Sequence, residues 1–362
     1  MRILQIIATL RIGGAEKVAK DIGWYALSNG HEVDYLVFGD NVGDYEEDLI
    51  AKGAKVIHIP SPSADYAKYF QTLKQLMREN RYDAVHAHTM FNIGWAMLAA
   101  KQCGVPIRIA HSHSALDNGS NTKKKVYETA MRRLILSCAT DLVACGKAAG
   151  ERLYGKEAFH KRGRLILNGI DTAAFAFDEE MRRKMRLELG LADSFVIGHA
   201  GHFMEVKNQS YLIRLLPEIK KRKPNVKLLL LGEGPDRPML EQLIRELHLE
   251  DDVIMTGNVR NVPDYLSAMD VFALPSLFEG MPLSILEVQT NGLPCVLSER
   301  VPDDVKQTDL IQTVSLSEPN RWADAICAVS RSDPGTYAAR MSDSGFDTKS
   351  VMRQFYQLYT AG

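Results

Sequence analysis

Short apolar runs rich in β-branched residues alternate with longer segments whose apolar positions recur every three or four residues, from the first residue onward. In the first half the runs are RILQIIATL, EVDYLVFG, KVIHIP, AVHAHT, IRIAHSH, DLVAC and LILNG, separated by amphipathic stretches such as AEKVAKDIGWYALSNG, which stops at Gly30. A second series follows: FVIGHAGHF, KLLLLGEG, DVIMTGN, DVFALPS, PCVLSE and IQTVSL. Strand-helix alternation of this kind predicts parallel sheets closed by right-handed crossovers, with ligands gathered at the carboxyl ends of the strands. After LILNGIDTAAF the chain turns polar and charged, in DEEMRRKMRLELGL, which marks a domain boundary. The last amphipathic segment, SVMRQFYQLY, sets Val351, Phe355 and Leu358 on one helical face. The expected organisation is α/β, with domains at 1–170 and 171–345 and a terminal helix in 346–362.

The most informative stretch is PSLFEGMPLSILEVQTNGLP, Pro275 to Pro294. It begins at the end of a buried run, turns at Gly280, and puts Pro282 at the first helical position, where a missing N–H costs nothing. Gly292 suits the left-handed end of that helix, and Pro294 cannot continue it. Glu279 then falls in the turn, facing a helix N-terminus, and Glu287 falls on the helix among Leu283, Ile285, Leu286 and Val288. Carboxylates in such company are suited to holding hydroxyl donors, since charge-assisted hydrogen bonds are about twice as strong as neutral ones.

Other candidates end strands in the same way. Gly13 and Gly14 open a helix after the first run, so their amides can approach a phosphate. The dinucleotide fingerprint Gly-x-Gly-x-x-Gly is absent there, which excludes a nicotinamide dehydrogenase. Two His-x-His pairs, His86 with His88 and His111 with His113, each point to one face of a strand. Neither pair has Asp, Glu or Cys at ligand spacing, so no metal is expected, and His86 and His88 are assigned to packing and loop anchoring. Lys207 follows the strand FVIGHAGHF and offers a point charge to a diphosphate.

Composition narrows the class. The 362 residues, 46% hydrophobic and 25% charged, describe a globular chain of two ordinary domains. Five scattered cysteines (Cys103, Cys138, Cys145, Cys295, Cys327) point to a reducing, cytoplasmic compartment. The opening ILQIIATL fits a buried strand rather than a signal segment, and no run reaches the ~18 apolar residues of a spanning helix. The net charge of −1 hides an uneven split: residues 1–170 hold 23 basic against 17 acidic side chains, and the remainder 21 against 28. No basic stripe is interleaved with aromatics, so nucleic acid is not a partner. The helix KKKVYETAMRRLIL (123–136) is basic and amphipathic. Two readings stand for it: a solvated charged face, or peripheral contact with an anionic membrane.

Glu279 and Glu287 eight residues apart on a strand-turn-helix, with Gly280 and Pro282 after the first acid, resemble the signature of retaining glycosyltransferases of family 4. GGAE, NGID with Phe175, Lys207 and the Gly232-Glu233-Gly234-Pro235 turn fall in that family's order, so the resemblance spans nearly the whole chain. It implies a GT-B fold, two Rossmann-like domains facing across a cleft, with the terminal helix returning to the first domain. It also implies transfer of a hexosyl unit from a nucleotide diphosphate sugar, with a UDP-sugar expected, to a glycan or lipid-linked acceptor in surface polysaccharide synthesis. No cofactor is implied. Glu279 would bind sugar hydroxyls and Glu287 the ribose, with Gly280, Met281, Pro282 and Leu283 lining the donor site. Lys207 and Gly13-Gly14 would meet the diphosphate, His113 the sugar (His111 if the register slips by two), and Asn258, Val259 and Arg260 the base. The chain departs from the family at His202, where an arginine is usual, so phosphate neutralisation needs a protonated His202 or a substitute such as Arg11. That departure leaves room for two rivals, a nucleotide-sugar 2-epimerase of the same fold and a non-catalytic nucleotide-binding partner of another transferase.

Overall fold

A parallel strand must be re-entered from the same end, and thirteen strands in this computed structural model, which describes residues 1–114, 121–331 and 334–360, obey that rule throughout. The chain divides into two compact units, Met1–Gly169 with Thr348–Gly362, and Ile170–Asp347. The terminal segment expected at 346–362 ends in residues 361–362, which lie outside the described residues, as do 332–333 of the segment before it.

The first unit is a seven-stranded parallel sheet in the order β3-β2-β1-β4-β5-β6-β7. Its strands are β1 (Arg2–Ile6), β2 (Glu32–Phe38), β3 (Lys55–Ile59), β4 (Ala84–Ala87), β5 (Ile107–Ser112), β6 (Asp141–Ala144) and β7 (Gly163–Leu165). The last strand comes earlier than the LILNG run suggests, because Gly163 to Leu165 is the stretch that pairs with Leu142 to Ala144. Helices α1 (Gly14–Ser28), α2 (Glu46–Ala51), α3 (Tyr66–Asn80), α4 (Ile93–Gln102), α5 (Thr122–Cys138), α6 (Lys147–Tyr154) and α7 (Lys156–Arg162) supply the crossovers. Alternation along the strands builds two cores. Leu4, Ile6, Val85, Ala87 and Ala110 pack on one face with Leu73, Met97 and Ile135 of α3, α4 and α5. Ile3, Ile7, Ala84 and Ile109 pack on the other with Val18 and Ile22 of α1.

The second unit is a six-stranded parallel sheet in the order β10-β9-β8-β11-β12-β13. It comprises β8 (Phe195–Ala200), β9 (Val226–Leu231), β10 (Val253–Met255), β11 (Val271–Leu274), β12 (Cys295–Ser298) and β13 (Ile311–Val314). Its helices are α8 (Glu179–Glu188), α9 (Gln209–Arg222), α10 (Arg237–Glu246), α11 (Val262–Ala268), α12 (Leu283–Thr290), α13 (Pro319–Ala328) and α14 (Tyr337–Met341). Ile197, Leu228, Leu230, Ala273 and Val296 form a core with Leu212 and Leu216 of α9, Leu240 of α10 and Trp322 of α13.

A final helix, α15 (Thr348–Thr360), returns to the first unit, where Val351, Met352, Phe355, Leu358 and Tyr359 are buried against the α1 face of the sheet. At the sheet centre this face becomes polar. Gln5 of β1 lies beside His86 of β4, His111 lies on β5, and His88 and His113 lie one residue past the ends of β4 and β5. Their rings stack, with centroids 4.4 Å apart for His86 and His88 and 4.0 Å for His111 and His113. Hydrogen bonds thread the stack: Tyr359 Oη to His86 Nδ1 (2.7 Å), His86 Nε2 to His111 Nδ1 (3.2 Å), and His88 Nδ1 to His113 Nε2 (2.7 Å). Gln5 closes it, accepting from His88 Nε2 at 2.8 Å and donating to Tyr359 Oη at 3.1 Å. Burial, which disfavours the charged ring, pushes His86 and His113 down to about 3 and lowers His88 and His111 as well.

Two expectations follow. Phe355→Ala removes a fully buried aromatic from the α15 contact and should cost about 3–5 kcal/mol in urea unfolding of the full chain; a loss below ~1 kcal/mol would show that α15 contributes little to the first unit. The histidines set a pH dependence whose sign is fixed by the direction of their shifts. Folded values below the unfolded 6.5 mean that the folded state prefers the neutral ring, so stability is complete above pH ~6.5 and is lost as pH falls toward the folded values. His58 acts oppositely: hydrogen bonds to the Gly39 carbonyl and Glu46 raise it, so its contribution is present below 6.5 and lost as pH rises through its folded pKa. Burial lowers His31 and His199 as well, so six lowered rings outweigh that one, and unfolding free energy should drop below pH 6.5 by up to about 1.4 kcal/mol per pH unit for each of them. Urea titrations from pH 7.5 to 4.5 read the slope, which His86→Leu with His111→Leu should flatten.

Candidate active site

In the second unit the order of strands reverses between β8 and β11, and the loops that leave their carboxyl ends diverge to opposite faces. Lys207 and Glu279 meet there. The loop after β8 ends in a short turn, Glu205–Lys207, followed by Asn208 in the left-handed conformation (φ 55°) that asparagine tolerates better than most residues. Asn208 Nδ2 donates to the Pro275 carbonyl at 3.1 Å, and Leu277 N–H donates to the Val206 carbonyl at 2.8 Å. Those two bonds fasten the Lys207 turn to the segment after β11. Lys207 Nζ then donates to both oxygens of Glu279, at 2.8 and 3.0 Å. Ser276 Oγ donates to Oε1 at 2.6 Å, and Ser298 Oγ holds the Ser276 carbonyl at 2.6 Å. Glu279 is buried and the lysine side chain is one-fifth exposed, so the pair sits at the floor of the loops.

Beneath the pair, His199 on β8 donates from Nδ1 to the Ala273 carbonyl at 3.0 Å. Its Nε2 accepts from Gln209 Nε2, which also donates to the His202 carbonyl. Burial lowers His199 to about 4, so it acts as a neutral connector. On the neighbouring side, Gly232 N–H donates to the Gly257 carbonyl and Phe203 N–H to the Glu233 carbonyl, which joins the loops after β8, β9 and β10.

Most sequence candidates in this unit line the same strand ends. Gly280 and Met281 are half-buried in the turn, Pro282 is buried, and Leu283 begins α12. Pro282 is the N-cap rather than the first helical residue, one position earlier than proline's preference suggests. Glu279 does not cap α12: its carboxylate takes Lys207 and Ser276, and none of the described hydrogen bonds joins it to an α12 amide. Gly292 has φ +64°, as the helix stop requires. Glu287 is half-buried on α12. His202 is exposed and engaged through its carbonyl, and among the described residues no hydrogen bond holds its ring. Asn258 and Arg260 are exposed and Val259 half-buried in the loop between β10 and α11. Phe175 is buried, its carbonyl accepting from Asn291 at the end of α12.

In the first unit the reversal falls between β1 and β4. Gly13 is the N-cap of α1 and Gly14 its first residue, one position before the expected start near Ala15. The carboxylate of Glu16 lies so close to Gly13 that a Cβ there would collide with it, and burial raises the Glu16 pKa. Spacing alone gives Glu16 no role. Arg11 is exposed. Among the four histidines only His113 is half-buried; His111 is fully enclosed, which removes it as the alternative sugar contact. His86 and His88 do more than pack, since His88 bonds directly to His113. Nitrogen atoms of His86, His88 and His111 lie within 4.8 Å of one another, a set large enough for an ion that neither pair provides alone. Their hydrogen bonds account for the closeness, and coordination would have to break them. On α5, Lys123, Lys125, Val126 and Arg133 are exposed, whereas Arg132 turns inward to the Leu153 and Arg152 carbonyls and leaves the basic face. Among the described residues no helix is long and apolar enough to cross a membrane.

Residues that pattern alone left without a role hold each cluster together: Ser276, Asn208 and Gln209 in the second unit, and Gln5 and Tyr359 in the first. Their signal in the sequence is only a polar residue inside an apolar run or at a strand end, which many residues share.

Comparison with known proteins agrees with this architecture. Residues 194–332 match the family described as Glycosyl transferases group 1, and residues 12–174 match Glycosyltransferase Family 4. EpsF of Bacillus subtilis, named as a glycosyltransferase, is 33% identical over 332 residues, 90% of this chain and 86% of that protein. An Escherichia coli protein named UDP-Gal:alpha-D-GlcNAc-diphosphoundecaprenol alpha-1,3-galactosyltransferase is 29% identical over 238 residues, 63% of this chain and 60% of its own length. Among solved structures, Anabaena HepE in complex with UDP-glucose is similar with a TM-score of 0.84 over 100% of both chains at 21% identity. WaaG is similar at 0.77 over 99% of this chain and 100% of that one, at 15% identity. The chain belongs to glycosyltransferase family 4 and has the GT-B fold.

Proposed function

We propose that this glycosyltransferase moves a hexosyl unit, with retention, from a UDP-sugar to a glycan or lipid-linked acceptor in the assembly of a surface polysaccharide. The observation that carries the reading is the bidentate Lys207–Glu279 pair at the strand ends where β8 and β11 part. A sugar phosphate presents complementary groups to both members: phosphate oxygens to the ammonium, and hydroxyl donors to the carboxylate. The choice of uridine and of a lipid-linked acceptor is supported by relatives, since HepE holds UDP-glucose and the E. coli protein is named for a diphosphoundecaprenol acceptor. The exposed Lys123, Lys125 and Arg133 of α5 give that acceptor's membrane an electrostatic partner, on the cytoplasmic face.

In this reading the bond from the anomeric carbon to the diphosphate oxygen breaks with its electron pair on oxygen. The acceptor hydroxyl oxygen forms the new bond on the same face, and its proton passes to the departing phosphate. Lys207 and the amides of Gly13 and Gly14 stabilise the negative charge as it develops. Glu279 holds the sugar hydroxyls, Glu287 the ribose, and Asn258, Val259 and Arg260 the base. With His202 in place of an arginine, Lys207 is the principal cation for the leaving group.

Lys207→Ala and Glu279→Gln should each lower transfer from UDP-sugars about a hundredfold or more. Thermal unfolding of both variants accompanies the assay, because Lys207→Ala leaves a buried carboxylate without its counter-charge. A folded variant with near-normal turnover would remove that residue from the mechanism. Wild-type protein should be stabilised by UDP and UDP-sugars in a thermal-shift screen and not by guanosine or adenosine diphosphates.

A further inference from the structure

The proton positions of the histidine ladder are fixed from one end. The Gln5 amide nitrogen donates to Tyr359 Oη, and its oxygen accepts from His88 Nε2 at 2.8 Å. An amide oxygen carries no proton, so the proton in that contact belongs to His88 Nε2. A neutral imidazole has one N–H, which leaves His88 Nδ1 as a bare lone pair. That lone pair lies 2.7 Å from His113 Nε2. Two facing lone pairs would repel at this distance, so the proton between them resides on His113 Nε2. Burial keeps both rings neutral at pH 7, with His113 lowered to about 3. His113 Nδ1 is therefore an acceptor. Among the described residues no hydrogen bond uses it, and His113 is the one member of the ladder that is half-buried rather than enclosed.

We propose that Gln5 and His88 are positioning residues that lock His113 as its Nε2–H tautomer, so that Nδ1 accepts a hydrogen bond from a hydroxyl of the transferred sugar. This rests on the reading that His113 faces the donor sugar. The lock defines the substrate chemistry at that point: a hydroxyl that can donate is favoured, and a carboxylate or phosphate oxygen, with only lone pairs to offer, is repelled. It also means that His113 supplies no proton to the reaction, in contrast to an imidazolium general acid.

The first test is spectroscopic and needs no variant. Long-range proton–nitrogen correlation spectra of histidine-labelled full-length protein at pH 7 should show His113 with its proton on Nε2, and a proton on Nδ1 would overturn the lock. His88→Asn, whose side-chain oxygen takes the place of Nδ1, should retain the wild-type pattern. His88→Phe, which offers no acceptor, should give a mixture of tautomers, and an unchanged pattern there would also overturn the lock. The second test reads function by calorimetry with UDP-glucose and UDP as probes. His88→Phe should weaken UDP-glucose about tenfold, leave UDP unchanged, and be rescued by His88→Asn. A lock confirmed by spectroscopy with equal UDP-glucose affinity in all three proteins would overturn the assignment of His113 to the sugar, while loss of UDP binding in the wild type would sink the donor reading itself.

Discussion

Parallel strands cannot be joined by hairpins, and everything chemical in this protein follows from that constraint. Each strand is left at its carboxyl end and re-entered at its amino end after a helix, so the loops free to carry polar groups collect on one edge of each sheet. Both sheets reverse their strand order at the first strand, between β1 and β4 and between β8 and β11. The reversal sends neighbouring loops to opposite faces and opens a crevice at that edge. Gln5, His86 and His88 flank the first reversal, and Lys207 and Glu279 flank the second.

The two units meet the cost of buried polarity in different ways. In the second, a carboxylate is taken out of water and compensated by a full positive charge and a serine hydroxyl, an arrangement with strong direct bonds that depends on both partners. In the first, three enclosed imidazoles and the half-buried His113 are held neutral, and among the described residues every ring nitrogen of the ladder except His111 Nε2 and His113 Nδ1 meets another ring, an amide or a phenol. His111 Nε2 is enclosed, whereas His113 Nδ1 belongs to the half-buried ring. Neutral networks carry a smaller desolvation penalty than ion pairs, and they impose direction, because each ring can donate only once.

The departure at His202 bears on that division. The ring is exposed and the residue is engaged through its backbone, so position 202 adds no guanidinium beside Lys207. Arg132 shows the converse lesson. It counts as basic surface in the sequence, yet its guanidinium is spent on two carbonyls and lies over Phe91, so the exposed charge of α5 is confined to Lys123, Lys125 and Arg133.

The alternation of apolar runs with amphipathic segments determined the two parallel sheets, because period-two and period-3.6 patterns have only one compatible layering when they alternate along a chain. The spacing of Glu279, Gly280, Pro282 and Glu287 likewise fixed a strand-turn-helix, since proline and glycine leave the backbone little choice there. Tertiary structure decided the partners. That Lys207 reaches Glu279 across 72 residues depends on β8 and β11 being neighbours, which strand order sets and local pattern does not record. The merging of two His-x-His pairs into one ladder depends on β4 lying beside β5, and its closure depends on Tyr359, 354 residues from Gln5. Periodicity tells which face a side chain takes; only packing tells what waits on the other side.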